Sequence, residues 1–209
     1  MRPHVYFLIL VLAFFSLNIF AKGIATGHKK CTKKGSCHGS TSTAKCIKTQ
    51  KLSLLKNRNT QPQTADFNNL ITLDDLYNSH DDTSEFDQSQ AVIIQGYLFQ
   101  ARDEDSEACN CYSPYAADHD IHVYIALDKN ATSIGDCVVV ELTPYSKSIL
   151  SGWTADYINQ NQWMQVEITG WLMYDWEHNN MSFDSGQPKA KAKRRTVWEV
   201  HPITNIRSL

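Results

Sequence analysis

The chain has 209 residues, 20 basic and 22 acidic side chains, and a formal net charge of −2. This length is sufficient for a hydrophobic core of ordinary size, and it allows one domain with additional segments. The charge is uneven: residues 22–60 carry ten Lys or Arg and no acidic residue, whereas residues 61–209 carry nine basic and 22 acidic residues, a net charge of −13. That negative charge counts against a groove that follows the phosphates of a nucleic acid.

Residues 1–21 have the pattern of a signal peptide. Arg2 and His4 precede an unbroken apolar run over residues 5–15, and Ala21 provides a small residue at the expected cleavage point. The alternative is an uncleaved membrane anchor, although the apolar run is at the short end for crossing a bilayer. We therefore predict an exported protein, periplasmic or secreted, with no membrane span after the signal is removed.

Six cysteines follow this segment, at Cys31, Cys37, Cys46, Cys109, Cys111 and Cys137. An even number in an exported chain favours disulfide bonds, although the sequence alone does not determine their connectivity. Since the cysteines fall into two groups of three, at least one thiol in each group is free or is bonded outside its group. We predict a bridge from Cys109 or Cys111 to Cys137, which would tie a loop to the central strands.

Residues 22–65 form a basic, cysteine-containing segment. Lys, Thr, Ser and Gly prevail, and the segment has little apolar periodicity. This composition buries too little apolar surface to offset the entropy of ordering, so it predicts a flexible arm. Its His and Cys residues have no spacing typical of a zinc site. The positive charge predicts attraction either to the acidic remainder of the chain or to an anionic partner.

Residues 66–90 form an acidic lead-in with a short apolar register. Thr72 is placed to cap a helix of one or two turns, whose first turn holds Asp74 and Asp75. We expect this segment to pack on the domain that follows.

Residues 91–209 are predicted to form the folded domain, because apolar residues alternate with a period of two in several stretches. The five predicted strands are residues 91–101, 121–127, 137–142, 163–174 and 196–206. Gly96 indicates a bulge or bend in the first strand. Pro202 indicates that the last strand lies at an edge or is bulged, because proline donates no hydrogen bond.

Between the third and fourth strands, apolar residues over 145–160 recur at helical spacings, although Gly152 weakens this helix. Five strands with one helix between the third and the fourth is the layout of the OB-fold, a small, partly open Greek-key barrel. We therefore predict a mainly β, five-stranded, OB-fold-like domain.

Several strings in this domain resemble a group of exported bacterial proteins of unknown function that carry an OB-fold-like domain. They are ITGWLMYDWEH, VWEVHPITNI, and DIHVYIAL followed by VVVELTP. The resemblance covers about residues 91–206, and WEVHP is its most specific part. It implies the same fold and the same location, and it implies no activity.

Polar side chains on the predicted strands form a candidate ligand-binding face. His122 and Tyr124 alternate with the apolar residues of the second strand, so they lie on its opposite face. Glu141 lies on the neighbouring third strand, on the sheet that most OB-folds use for ligands. The residues predicted to line the site are His122, Tyr124, Glu141, Trp171 and His201.

His122, Glu141 and His201 are also a donor set for a divalent metal ion, or for a general base with an orienting partner. The wider polar group includes Asp118, His119, Asp120 and Glu199. The alternative is that these groups only hydrogen-bond one another and nearby loops. No cofactor follows firmly from the sequence; a divalent metal is the one that a metal-dependent hydrolase would require.

A basic run between the fourth and fifth strands favours nucleic acid as an alternative partner. It lies in one of the two loops that hold ligands in OB-folds, and Trp171 or Tyr124 would stack a base. Its residues are Lys189, Lys191, Lys193, Arg194 and Arg195. The acidic charge of the domain opposes this interpretation, and a solvated loop explains the run equally well.

We therefore predict a binding module for an extracytoplasmic ligand or protein partner, and the sequence leaves open whether the chain has a catalytic activity. Two alternatives stay open. One is nucleic-acid binding through residues 189–195 and the basic arm. The other is a metal-dependent hydrolase.

Overall fold

The computed structural model describes residues 31–37, 43–188 and 191–209. The predicted signal peptide and Lys189 lie outside these residues. The five strands are β1 (Ala91–Asp103), β2 (Ile121–Ala126), β3 (Cys137–Leu142), β4 (Gln165–Tyr174) and β5 (Trp198–Ser208). The helices are α1 (Ala44–Lys56), α2 (Leu73–Tyr77), α3 (Pro144–Ile149) and α4 (Ala155–Gln160). No helix within the described ranges is both long and apolar enough to cross a membrane.

The strands form a closed barrel in the order β1-β2-β3-β5-β4. Strands β3 and β5 are parallel, and every other neighbouring pair is antiparallel. The mainly β, five-stranded barrel is therefore confirmed and is consistent with an OB-like fold. Alternate residues of β2, namely Ile121, Val123 and Ile125, join the main hydrophobic core.

Strands β2 and β3 are buried on both faces. A strand at the surface of a barrel exposes every second residue, yet all six residues of β2 and all six of β3 are buried. The outward faces of β2 and β3 are therefore covered by other parts of the chain. This cover positions the candidate site, because the predicted site residues lie on those faces.

The region between β3 and β4 differs from the prediction, because it contains two short helices instead of one helix over residues 145–160. Thr143 caps α3, whose first residue is Pro144, and Thr154 caps α4. Leu150 ends α3 and Gly152 lies in the turn between the helices. The second cap gives the chain a new helix start, so the apolar stripe is interrupted.

Irregularities in the strands occur where side chains and backbones approach closely. The register of β1 shifts between Leu98 and Gln100, beyond Gly96. A Cβ atom on Gly96 would lie 2.6 Å from Cγ2 of Ile125, so this glycine permits close packing. The register of β4 against β5 shifts around Gly170, opposite Pro202. Pro202 therefore lies at a bulge and not at an edge, since β5 is paired on both sides.

The basic segment is ordered where the structure describes it, contrary to the predicted flexible arm. Residues 44–56 form α1, which begins at the cap residue Thr43 and buries Leu52 and Lys56. Two disulfide bonds, Cys31–Cys111 and Cys37–Cys46, crosslink the segment. The crosslinks and the burial of these side chains offset the entropic cost of ordering the segment, and the composition of the segment does not reveal either of them.

The predicted bridge from Cys109 or Cys111 to Cys137 is wrong, because Cys111 pairs with Cys31 while Cys109 and Cys137 are buried free thiols. The loop between β1 and β2 packs on the basic segment: the side chain of Asn57 donates to the carbonyl of Cys109 at 2.8 Å. Two disulfide bonds indicate a protein outside the cytoplasm, in agreement with predicted export.

The predicted short helix of the acidic lead-in is confirmed as α2. Thr72 accepts a hydrogen bond from the backbone of Asp75, whose carboxylate accepts one from the backbone of Thr72. Leu73 and Leu76 of this helix are buried in the main core. The lead-in therefore belongs to the folded domain.

Candidate metal centre

The candidate site lies on the outward faces of β2, β3 and β5. His122 on β2 is paired in register with Glu141 on β3. Glu199 on β5 is paired with Val139 on β3, and His201 follows two residues later on the same face. All four polar side chains are at most 1% exposed. The barrel thus brings together residues that are far apart in sequence, as the alternation of each strand predicts.

Glu141 lies between the two histidines. Its Oε2 is 3.0 Å from Nδ1 of His201, and its Oε1 contacts Nε2 of His122. His201 also places Nδ1 3.3 Å from Oε1 of Glu199 and Nε2 3.4 Å from Oδ2 of Asp120. Glu141 therefore contacts both histidines of the predicted metal site.

The residues best placed to bind a metal ion differ from the predicted set in one member, because Asp120 takes the place of His122. Asp120, Glu141 and His201 each offer a ligand atom, and these atoms all lie within 4.8 Å of one another. His122 instead holds its Nδ1 2.8 Å from the carboxylate of Glu104. Asp120 belonged to the wider polar group of the sequence. Its spacing of two from His122 is the signal that places it next to the outward face of β2.

Several buried atoms at this centre lack hydrogen bonds within the described residues. They are Nε2 of His122, Oε1 of Glu141 and Nε2 of His201. The first two lie within ion-pair distance of each other. Buried polar atoms are normally satisfied. The imidazole nitrogen and carboxylate oxygen atoms that converge here are of the types that bind a transition-metal ion.

The electrostatics of the centre favour a cation. Burial and the carboxylate of Glu141 raise the pKa of Asp120 to about 7, although His201 opposes this shift. Burial lowers the pKa of His122, but Glu141 and Glu104 more than reverse this and raise it to about 9. The pKa of His201 is likewise raised by Glu141 and Glu199, against the effect of burial. The carboxylates thus hold positive charge at this point, as protons on imidazole or as a metal ion.

A second group of charged side chains surrounds the centre and separates it from solvent. Arg194 is buried, and its Nη1 lies 2.7 Å from Glu199. Lys56 of α1 is also buried, with its ammonium 3.0 Å from Glu107 and 3.0 Å from Asp175. These groups come from α1 and from the loops that follow β1 and β4. No sequence pattern marked Lys56, Glu107 or Asp175, because each is partnered by residues distant in the chain.

The basic run is only partly solvated, because its two arginines are engaged within the fold. Arg194 is 2% exposed and neutralised by Glu199. Arg195 lies over the rings of Tyr77 and Phe183, at 4.5 and 4.3 Å. Of the described members of the run, only Lys191 and Lys193 are exposed.

The two aromatic residues predicted to line the site are covered. Tyr124 is 1% exposed and lies edge-on to the ring of His122. Trp171 donates from Nε1 to the carbonyl of Thr60, and the guanidinium of Arg58 lies over its ring. Neither ring offers an open face for stacking.

The function of this chain is inferred from the geometry of the site. No protein-family model matches the chain, and a search of curated protein sequences finds no match.

Proposed function

We propose that the chain is an exported, OB-fold-like Greek-key module that binds a divalent metal ion through Asp120, Glu141 and His201. The observation that supports this most is the convergence of three buried ligand atoms within 4.8 Å. Export rests on the signal-peptide pattern of residues 1–21 and on the disulfides, and places the module in the periplasm or in the medium. The resemblance to exported bacterial OB-fold-like proteins agrees with this assignment.

The donor set indicates a transition-metal ion. One imidazole nitrogen and two carboxylate oxygens suit Zn²⁺ or Mn²⁺, whereas Ca²⁺ and Mg²⁺ prefer oxygen ligands only. His122 and Glu199 lie next to the three ligands and orient them, as carboxylates and imidazoles beside metal ligands commonly do.

Burial of the centre favours metal binding over hydrolysis. A catalytic metal keeps an open coordination position that a substrate reaches. Here His201 is fully buried and Asp120 is 6% exposed. A small ion fits this enclosure, whereas the larger extracytoplasmic ligand expected from the sequence would require the cover to move. Nucleic acid is disfavoured for the further reason that Arg194 is neutralised within the fold.

Isothermal titration calorimetry of the chelator-treated protein with Zn²⁺, Mn²⁺ and Mg²⁺ tests the proposal, with bound metal quantified by mass spectrometry. We expect one Zn²⁺ or Mn²⁺ per chain, and weak or no binding of Mg²⁺. Asp120→Asn and His201→Gln should each lower the affinity about 10-fold or more. Asp136→Asn is the matched control, because Asp136 is a buried carboxylate that accepts a hydrogen bond from the backbone of Thr132, at the opposite end of β3 from Glu141. Absence of stoichiometric metal, or equal affinity in all three variants, would refute the assignment.

A further inference from the structure

We infer that the solvent face of α1 is a docking surface for an anionic lipid bilayer. This inference is independent of the metal centre and concerns the opposite side of α1 from Lys56. The face, here called the basic face, consists of Ile47, Lys48, Lys51 and Leu54, all of which are exposed, and the exposed Lys45 lies beside it at the start of the helix.

The helix is held in place by its other side. Cys46, Leu52 and Lys56 are buried against the domain, and Cys46 is bonded to Cys37. Ile47, Lys51 and Leu54 are spaced four and three residues apart, so they form one stripe that points away from the buried side. The helix is therefore preformed, and docking requires no folding of this segment.

Apolar and basic side chains alternate on the basic face. Ile47 is 46% exposed and Leu54 is 42% exposed, and Lys51 lies between them. Exposed apolar side chains flanked by lysine are typical of helices that lie in the interface of an anionic membrane. Lys48 lies over the ring of Trp176, 3.9 Å from its centroid, which holds it at the border of the face.

The charge distribution orients the molecule relative to an anionic surface. No acidic residue occurs over residues 22–60, whereas residues 61–209 carry a net charge of −13. An anionic surface therefore attracts the side with α1 and repels the barrel. Lys33 and Lys34 are also exposed, in the same crosslinked segment.

Two other partners are less well matched to the face. Residues 31–58 contain no aromatic residue, so the segment supplies no ring on which the bases of a single strand would stack. A symmetric dimer through this face would bring Lys51 against Lys51 of the second copy, which is repulsive. A bilayer surface accommodates both the lysines and the apolar side chains.

Co-sedimentation of the purified protein with vesicles tests the inference. We expect binding to vesicles of equal parts phosphatidylglycerol and phosphatidylcholine, little binding to pure phosphatidylcholine, and a steep loss of binding as salt rises. The variant Lys45→Gln/Lys48→Gln/Lys51→Gln should lower vesicle affinity at least about 10-fold, because each lysine near an anionic surface contributes. Ile47→Ser/Leu54→Ser should also weaken vesicle binding.

The control is Lys129→Gln/Lys191→Gln/Lys193→Gln, which removes the same charge from exposed positions on the barrel. Its vesicle affinity should be within about twofold of the unmodified protein, since these lysines lie outside the basic face. Circular dichroism melts establish that each variant is folded, and Lys45→Gln/Lys51→Gln replaces the triple variant if Lys48 is needed for stability. Equal loss in the control would overturn the inference, and so would heparin binding that competes with vesicles and is indifferent to Ile47 and Leu54.

Discussion

At the scale of single residues, Glu141 is the centre of the buried charge network. It contacts both histidines, and burial would raise its pKa, but His122 and His201 hold the pKa well below its usual range. An isolated buried charge is costly, whereas a paired one is tolerated. The network is therefore stable only as a set, and removing one member leaves its partners uncompensated.

Substitution of Glu141 by Gln should destabilise the metal-free protein, because two buried imidazolium groups lose their shared counter-charge. We expect a loss of about 3 kcal/mol in the free energy of unfolding, measured by urea denaturation. Glu167→Gln is the control, since Glu167 pairs with Arg207 at the surface and should cost less than about 1 kcal/mol. Equal losses in the two variants would contradict a special role for Glu141.

The pair formed by Lys56 and Asp175 predicts an acid-sensitive stability. Burial would raise the pKa of Asp175, but Lys56 and His178 hold it below its usual range. Since the folded carboxylate holds its proton less tightly than the unfolded one, the pair stabilises the fold fully above about pH 4. That contribution is lost as the pH falls further.

We expect Lys56→Met to reverse the sign of this pH dependence, so that protonation of Asp175 stabilises the variant. The reason is that the Asp175 carboxylate would then be buried without its strongest counter-charge. The relevant measurement is the difference in unfolding free energy between variant and parent from pH 3 to pH 7, roughly the range around the ordinary pKa of Asp. Lys45→Met is the control in the same helix, because Lys45 is exposed. Parallel pH profiles for Lys56→Met and the parent would contradict the prediction.

At the scale of secondary-structure elements, α1 closes the outward face of the barrel. It supplies Lys56 to the charges around the metal centre, and Asn57 at its end holds the loop between β1 and β2. The disulfide Cys31–Cys111 joins the part of the basic segment that precedes α1 to the same loop covalently. Closure of the centre is thus the joint result of one helix, two loops and one crosslink.

The two disulfides should differ in their contribution to stability. Cys31–Cys111 spans 80 residues and Cys37–Cys46 spans 9. From loop-closure entropy, we expect Cys31→Ser/Cys111→Ser to cost about 4.5 kcal/mol and Cys37→Ser/Cys46→Ser about 2.5 kcal/mol. Guanidinium unfolding of the two double variants measures this difference. A larger loss from the short crosslink would show that local packing, and not loop closure, dominates.

At the scale of the whole molecule, the domain has an apolar core inside the barrel and a separate buried polar cluster between the barrel and the segments that cover it. Val123 and Val140 belong to the first, whereas His122 and Glu141, their neighbours in sequence, belong to the second. Groups in such a buried polar cluster are available only to a ligand small enough to be enclosed. Metal binding is therefore expected to be coupled to the stability of the whole domain.

Addition of Zn²⁺ should raise the melting temperature measured by calorimetry. At a free concentration about 100 times the dissociation constant, the expected gain is about 2.7 kcal/mol, or roughly 5–10 °C for a domain of this size. His201→Gln should abolish the shift, whereas His80→Gln should retain it, because the side chain of His80 is 86% exposed and faces Glu85 at the surface. A shift of equal size in both variants would indicate binding elsewhere.

Local patterns in the sequence determined the strands, the capped helix α2 and the face on which the site lies. The alternation over residues 121–142 predicted β2 and β3 almost to the residue, because side-chain direction in a strand depends only on position along it. The same rule predicted that His122, Glu141 and His201 would share one wall. These features depend on neighbours within a few positions, which the sequence displays directly.

Only the tertiary structure decided the ligand set, the crosslinks and the cover. Asp120 joins the centre because the end of its loop meets β5, and Cys111 reaches Cys31 because that loop packs on the basic segment. Lys56 looks like any solvated lysine in the sequence, yet its ammonium is enclosed between carboxylates that lie far along the chain. Burial and charge pairing are sums over distant neighbours, and no local pattern of residues contains them.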